Sequence, residues 1–184
     1  MAVTQVAYEV DGWGTGELVV SDGRVVWHEL PWPRPQLDSA GFQDPSRTPT
    51  HPGSTTVVAR NGSQVARAFV TEVVNLLRAY FAGTSVSLAE VPVELAYHTA
   101  FFGRCAAALR EVGRGETVTY GELAALAGAP GAARAAGSFC ARNHLPLFVP
   151  CHRVVAASGL GGYGSYGLGY KRRLLALEGH AGAL

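Results

Sequence analysis

The sequence predicts an α/β N-terminal domain with an antiparallel sheet, followed by a mainly α-helical C-terminal domain that contains a helix-turn-helix. Three observations lead there. Two β-prone runs flank a tight turn near the N-terminus, and a long amphipathic helix follows them. The second half then repeats short apolar helical segments separated by glycine stops. The connector at 85–92 separates the two, which gives domains 1–92 and 93–184.

The hairpin is read from Glu17-Leu18-Val19-Val20 and Arg24-Val25-Val26-Trp27 around Ser21-Asp22-Gly23, a turn signal. The proline-rich stretch 31–53 reads as an irregular loop. Val65, Phe69, Val73, Leu76, Leu77 and Tyr80 recur at spacings of three and four, which predicts a helix over 65–81, ended by Ala82-Gly83-Thr84. The second half opens with a helix over 98–112, with Phe101, Phe102, Cys105, Leu109 and Val112 on one face. Thr119 is a good N-cap, and Glu122 three residues on makes a capping box for a short helix. Gly128 stops it. Pro130 suits the first turn of the next helix, which runs to about Ala141. Helix, tight glycine-containing turn, helix is the helix-turn-helix pattern. Small residues surround Arg134 on the second helix: Ala132, Ala133, Ala135, Ala136 and Gly137. They allow close approach, either to another helix or to a DNA groove. A glycine-rich loop spans 159–169, and a last helix spans 171–178.

Composition excludes several classes. The chain is 48% hydrophobic and 16% charged, which fits a folded protein and not a disordered one. No window reaches the ~18 apolar residues of a membrane helix, and the N-terminus lacks the basic flank and apolar run of a signal peptide. Cys105, Cys140 and Cys151 are odd in number and have no C-x-x-C spacing, which argues against disulfides and cysteine-based zinc sites. A cytoplasmic setting follows. Residues 1–92 carry nine acidic and six basic side chains, whereas 93–184 carry five acidic and nine basic. Positive charge near phosphates drives nucleic-acid binding, so the C-terminal half is the candidate surface.

The chemistry-bearing segment is Pro150-Cys151-His152-Arg153-Val154-Val155. Cysteine reacts as its thiolate and needs a neighbour that lowers its pKa or takes its proton. His152 is adjacent, but on an extended chain consecutive side chains point to opposite faces, so a turn or a bridging water is required. Glu178 is a plausible third member that orients the histidine. Alone, a Cys-His pair is usually structural.

The segment resembles the active-site signature of the methylated-DNA–protein-cysteine methyltransferases, the O6-alkylguanine-DNA alkyltransferases. The resemblance runs continuously from about Phe101 to Gly179. Thr119-Tyr120-Gly121-Glu122-Leu123 is similar to the first helix of that family's helix-turn-helix, and 130–142, containing Ala133-Arg134-Ala135, to its recognition helix. Arg142-Asn143-His144-Leu145-Pro146 resembles the segment that brings an asparagine to the site. Lys171 and Leu174-Leu175-Ala176-Leu177-Glu178-Gly179 resemble its C-terminal helix. The N-terminal half matches only through Tyr80-Phe81-Ala82-Gly83 and the hairpin.

The resemblance implies a DNA-repair protein that moves the alkyl group of O6-alkylguanine onto its own cysteine, once, after extruding the base from double-stranded DNA. It implies Cys151 as acceptor, His152 as base through a water, and Glu178 as its orienter. It further implies that Asn143 holds the active-site turn and that Arg134, between Ala133 and Ala135, fills the gap left by the extruded base. Tyr120 then pushes the nucleotide's phosphate, and Val154, Tyr163, Ser165 and Lys171 border the substrate pocket. It implies a monomer with no cofactor. The zinc site of some members uses N-terminal cysteines; residues 1–92 have none, so no metal site is expected. Arg153 is open between anchoring the loop and acting in the chemistry.

The sequence departs from the family in one loop. Gly162-Tyr163-Gly164-Ser165-Tyr166-Gly167 places Gly164 where a pocket tyrosine is usual. Tyr163 and Tyr166 flank it, and the sequence does not choose between them. Three other readings compete: a lesion-binding protein without chemistry, a helix-turn-helix regulator with an incidental cysteine, and a Cys-His hydrolase with multiple turnovers.

Overall fold

The computed structural model describes residues 3–33 and 64–180. The expected loop at 31–53 lies, from residue 34 on, outside the described residues. Strands β1 (Val3–Val10), β2 (Gly14–Ser21) and β3 (Arg24–Trp32) form an antiparallel sheet in that order. The β2–β3 turn has the two central residues that the sequence signals. Asp22 and Gly23 both adopt positive φ (48° and 72°), the geometry whose twist matches the strands it joins. β1 was not read from the sequence, although it alternates: Thr4 and Tyr8 are buried, whereas Val3 and Ala7 are exposed.

Helix α1 (Gln64–Phe81) lies against this sheet through Val70, Val73, Val74, Leu77, Tyr80 and Phe81. Burying a leucine such as Leu77 completely is worth about 2 kcal/mol. The connector then joins the sheet. Val25 N–H donates to the Pro92 carbonyl at 2.9 Å and the Val25 carbonyl accepts from Glu94 N–H at 2.8 Å. Arg110 donates to the carbonyls of Ala89, Val91 and Phe148, tying connector and site segment to one side chain.

Helix α2 (Ala100–Arg110) begins two residues later than the 98 expected, because Thr99 is its N-cap and the Thr99 side chain accepts from Phe102 N–H. Strand β4 (Val118–Thr119) leads into α3 (Tyr120–Leu126), and Thr119 and Glu122 form the anticipated capping box. Helix α4 (Ala133–Ala141) begins three residues after Pro130. Gly131 at φ 88° breaks the helical path between them, so Pro130 belongs to the turn and not to the helix. Helices α3 and α4 pack on each other. Strand β5 (Val154–Val155) pairs in parallel with β4, Val118 facing Val154 and Thr119 facing Val155. Helix α5 (Gly167–Leu177) starts four residues before the expected 171. One hydrophobic core joins Tyr8, Leu18 and Leu77 of the first half with Leu109, Phe139 and Leu174 of the second. Among the described residues, no helix is long and apolar enough to cross a membrane.

Candidate active site

Cys151, His152 and Arg153 form a single 3-10 turn, closed by Arg153 N–H on the Pro150 carbonyl at 2.9 Å. The segment is therefore not extended, and the strand-like alternation that would separate Cys151 from His152 does not apply. β5 follows at once, so the β4–β5 pairing sets the cysteine turn beside the start of α3 and hence beside Tyr120.

The Asn143 side chain holds the turn from the other side. Its Nδ2 donates to Cys151 Sγ at 3.1 Å and to the Val149 carbonyl at 2.8 Å. Its Oδ1 accepts from Leu145 N–H at 3.1 Å and from the Tyr97 hydroxyl at 3.4 Å. All functional atoms of this amide are in use, so its orientation is fixed. The intervening chain holds strain, since Leu147 sits at φ 71° without being glycine. Cys151 is only 7% exposed, and burial pushes its thiol pKa up. The Asn143 donor and the Lys171 charge act against burial without cancelling it. A thiol in this state needs a base.

His152 is fully buried. Its Nε2 lies 2.9 Å from Glu178 Oε1. Glu178 Oε1 also accepts from the Tyr80 hydroxyl at 2.7 Å and from Arg153 Nη2 at 2.7 Å, and Oε2 accepts from Arg153 Nε at 2.9 Å and Gly115 N–H at 3.3 Å. This set holds the Glu178 carboxyl far below the usual carboxylate range, against the opposing effect of burial. An ionised Glu178 accepts a hydrogen bond from Nε2–H and leaves Nδ1, which has no hydrogen-bond partner among the described residues, as the basic nitrogen. Burial lowers the His152 pKa, so the ring is neutral and able to accept a proton. Arg153, undecided from sequence, grips Glu178 with two nitrogens and the Val112 carbonyl with a third.

Lys171 was expected at the pocket border. The structure buries it fully, with Nζ donating to the carbonyls of Val154, Leu160 and Gly162. Val154 is likewise fully buried, and Ser165 is exposed. The two loop tyrosines separate. The Tyr166 hydroxyl accepts from Leu30 N–H at 3.0 Å, which turns it toward β3. Tyr163 is buried, its hydroxyl has no hydrogen-bond partner among the described residues, and burial first and the neighbouring Cys151 second push its phenol pKa up. Gly164, at φ 48°, is what allows the chain to divide them.

Tyr120 is half-buried, and its hydroxyl accepts from Gly162 N–H at 3.4 Å. Any side chain at Gly161 would meet its ring at 2.9 Å. Arg134 is exposed on the first turn of α4, between the half-buried Ala133 and Ala135. The structure thus brings two hydrogen-bonded pairs together at one turn, Asn143 with Cys151 and His152 with Glu178, with Tyr120 beside the loop and Arg134 apart from it.

Residues 100–180 match the profile of the 6-O-methylguanine DNA methyltransferase, DNA binding domain. The methylated-DNA–protein-cysteine methyltransferase of Methanopyrus kandleri is 44% identical over 106 residues, covering 56% of this chain and 76% of that protein. This chain belongs to the O6-methylguanine DNA methyltransferase family. The Mycobacterium leprae relative is 50% identical over 111 residues, which is 59% of this chain and spans 65% of the relative's own length. The crystal structure of the Mycobacterium tuberculosis O6-methylguanine methyltransferase aligns over 99% of this chain and 96% of its own, with a TM-score of 0.67 and 33% identity. The M. tuberculosis OGT in complex with DNA aligns with a TM-score of 0.68 at 31% identity, over 95% of this chain and 92% of its own.

Sequence reasoning missed several members of this candidate site. Tyr80 stood in a matching stretch but without a role, yet it donates to Glu178 from the end of α1. Tyr97 orients Asn143, and Gly115 caps Glu178. No local periodicity signals such contacts, because the partners lie 46 to 98 residues apart.

Proposed function

We propose that this protein repairs double-stranded DNA by transferring the alkyl group of O6-alkylguanine irreversibly to Cys151, each molecule acting once. The observation that carries the reading is the placing of two hydrogen-bonded pairs on one turn, Asn143 with the Cys151 sulfur and Glu178 with the adjacent His152. His152 Nδ1 takes the thiol proton, through a water. The thiolate attacks the alkyl carbon, the carbon–O6 bond breaks, and guanine leaves with the electron pair to be protonated. Asn143 stabilises the thiolate, and Glu178 stabilises the imidazolium. The backbone N–H of Ser165 and the hydroxyls of Tyr120 and Tyr163 are the donors that oppose charge on the departing base.

The reacting carbon lies inside a duplex, so the base must leave the stack, at a cost of a few kcal/mol. Helices α3 and α4 act as a helix-turn-helix that enters the minor groove. Arg134, between Ala133 and Ala135, occupies the vacated space while Tyr120 presses on the phosphate. Residues 1–92 and 93–184 act as supporting and reacting domains of a cytoplasmic monomer. Displacement at carbon by a soft thiolate requires no cofactor.

The test is intact-mass measurement after incubation with duplex DNA carrying O6-methylguanine. The protein gains one methyl group on the Cys151 peptide and then stops. Cys151→Ala gains nothing and keeps its DNA affinity. Absence of the mass gain in the unaltered protein removes the reading, and repeated turnover favours a hydrolase.

A further inference from the structure

The structure contains a second buried histidine that the reaction does not use. His28 lies on β3, 2% exposed. Its Nδ1 is 2.7 Å from the Pro146 carbonyl and its Nε2 is 2.6 Å from the Tyr8 hydroxyl on β1. Its own N–H donates to the His144 carbonyl at 2.9 Å, and its ring stands edge-on to Phe148 with centroids 5.1 Å apart. Three contacts of one strand residue thus fall on 144–148, the stretch between Asn143 and Val149. That stretch contains the positive-φ Leu147 and would relax if released.

We propose that His28 is a positioning residue for alkyl transfer, holding the 144–148 stretch through Pro146 so that Asn143 stays within hydrogen-bonding reach of Cys151 Sγ. Burial lowers the His28 pKa to about 4, so the ring is neutral at physiological pH. A carbonyl can only accept; the single ring proton therefore sits on Nδ1, and Tyr8 donates to Nε2. The chain of contacts runs Tyr8, His28, Pro146, then Asn143 and Cys151. β3 grips the facing loop as well, since Leu30 N–H donates to Tyr166 and the Pro31 carbonyl accepts from Tyr170 at 2.7 Å. One strand of the N-terminal sheet therefore sets the spacing of both walls around Cys151.

The inference rests on Cys151 as the reactive thiol, and its test does not depend on DNA. Carboxamidomethylation of Cys151 by iodoacetamide is followed against pH in the full-length protein, read as the mass of the Cys151 peptide because Cys105 and Cys140 are also free thiols. In His28→Leu the loss of the Asn143 donor moves the midpoint up by about one pH unit. The rate of methyl transfer from O6-methylguanine duplex falls roughly tenfold at neutral pH, with DNA affinity within about twofold. His28→Asn, which restores a donor at the Nδ1 position, returns both values close to the original. A midpoint unchanged in His28→Leu, or shifted equally in His28→Asn, overturns the proposal. If His28→Leu does not fold, Tyr8→Phe decides: a smaller upward shift supports the proposal, and no shift overturns it. If the unaltered protein fails to take methyl from DNA while these midpoints still move, the repair reading falls and the positioning role stands.

Discussion

Glu178→Gln separates stability from chemistry in this site. Arg153 donates to both carboxylate oxygens, Nη2 to Oε1 and Nε to Oε2. Whichever way a glutamine is turned, its NH2 group therefore meets an arginine N–H. The substitution also leaves the guanidinium without its counter-charge, with only 12% of the Arg153 side chain exposed. Breaking a buried pair costs about 3–5 kcal/mol, and this partial exposure favours about 3. For a chain of this length that lowers the Tm by about 6–12 °C. Chemistry suffers separately, because a neutral amide neither fixes the proton on His152 Nε2 nor stabilises the imidazolium. Single-turnover methyl transfer should fall by roughly a hundredfold or more. The double variant Glu178→Gln with Arg153→Met removes the orphaned charge. Calorimetry should show most of the Tm recovered while quenched-flow transfer stays slow. Recovery of the rate together with the Tm would refute the assignment of Glu178 to proton placement and leave it a purely structural role.

Three further outcomes are expected. Arg134→Ala should leave the Tm within about 1 °C, as for exposed positions generally, yet slow repair of duplex DNA more than reaction with free O6-benzylguanine; equal losses on both substrates would contradict a role in base extrusion. Tyr163→Phe removes a buried hydroxyl that has no hydrogen-bond partner among the described residues, so stability should hold or rise by about 1 kcal/mol while transfer slows; a loss of stability would show that the hydroxyl is satisfied. The folded pKa of His28, about 4, lies below its unfolded value of 6.5, so the unfolded chain binds the extra proton between these pH values. Stability is then full above pH 6.5 and falls by about 3 kcal/mol on acidification to pH 4, with Glu178, whose carboxyl is also depressed, adding to the loss below about 4.5. Urea titrations at pH 7 and 4 that give equal free energies would exclude this.

The legible parts of the molecule were those encoded over a few residues. Asp22-Gly23 announces a two-residue turn, and Thr119 with Glu122 announces a helix start. The meeting of Glu178 with the Cys151–His152 segment was legible because a long ordered set of motifs surrounds them. β1 escaped because its alternation is diluted by the exposed Val3 and Ala7. The start of α4 escaped because Pro130 is compatible with both turn and helix, and the conformation of Gly131 decided between them. Lys171 resembled a pocket cation, but its environment of three carbonyls depends on where Val154, Leu160 and Gly162 meet in space. The direction of the Tyr166 hydroxyl likewise depends on Leu30, more than 130 residues away.

The partners of Glu178 come from α1, from the loop at Gly115 and from the turn at 152–153. During synthesis each of these emerges before Glu178 itself. A nascent chain therefore presents Cys151 while His152 still lacks its carboxylate partner. Only docking of α5 completes the contact between Glu178 and His152. Under the proposed one-event transfer, the site around Cys151 would thus be complete only once α5 has docked.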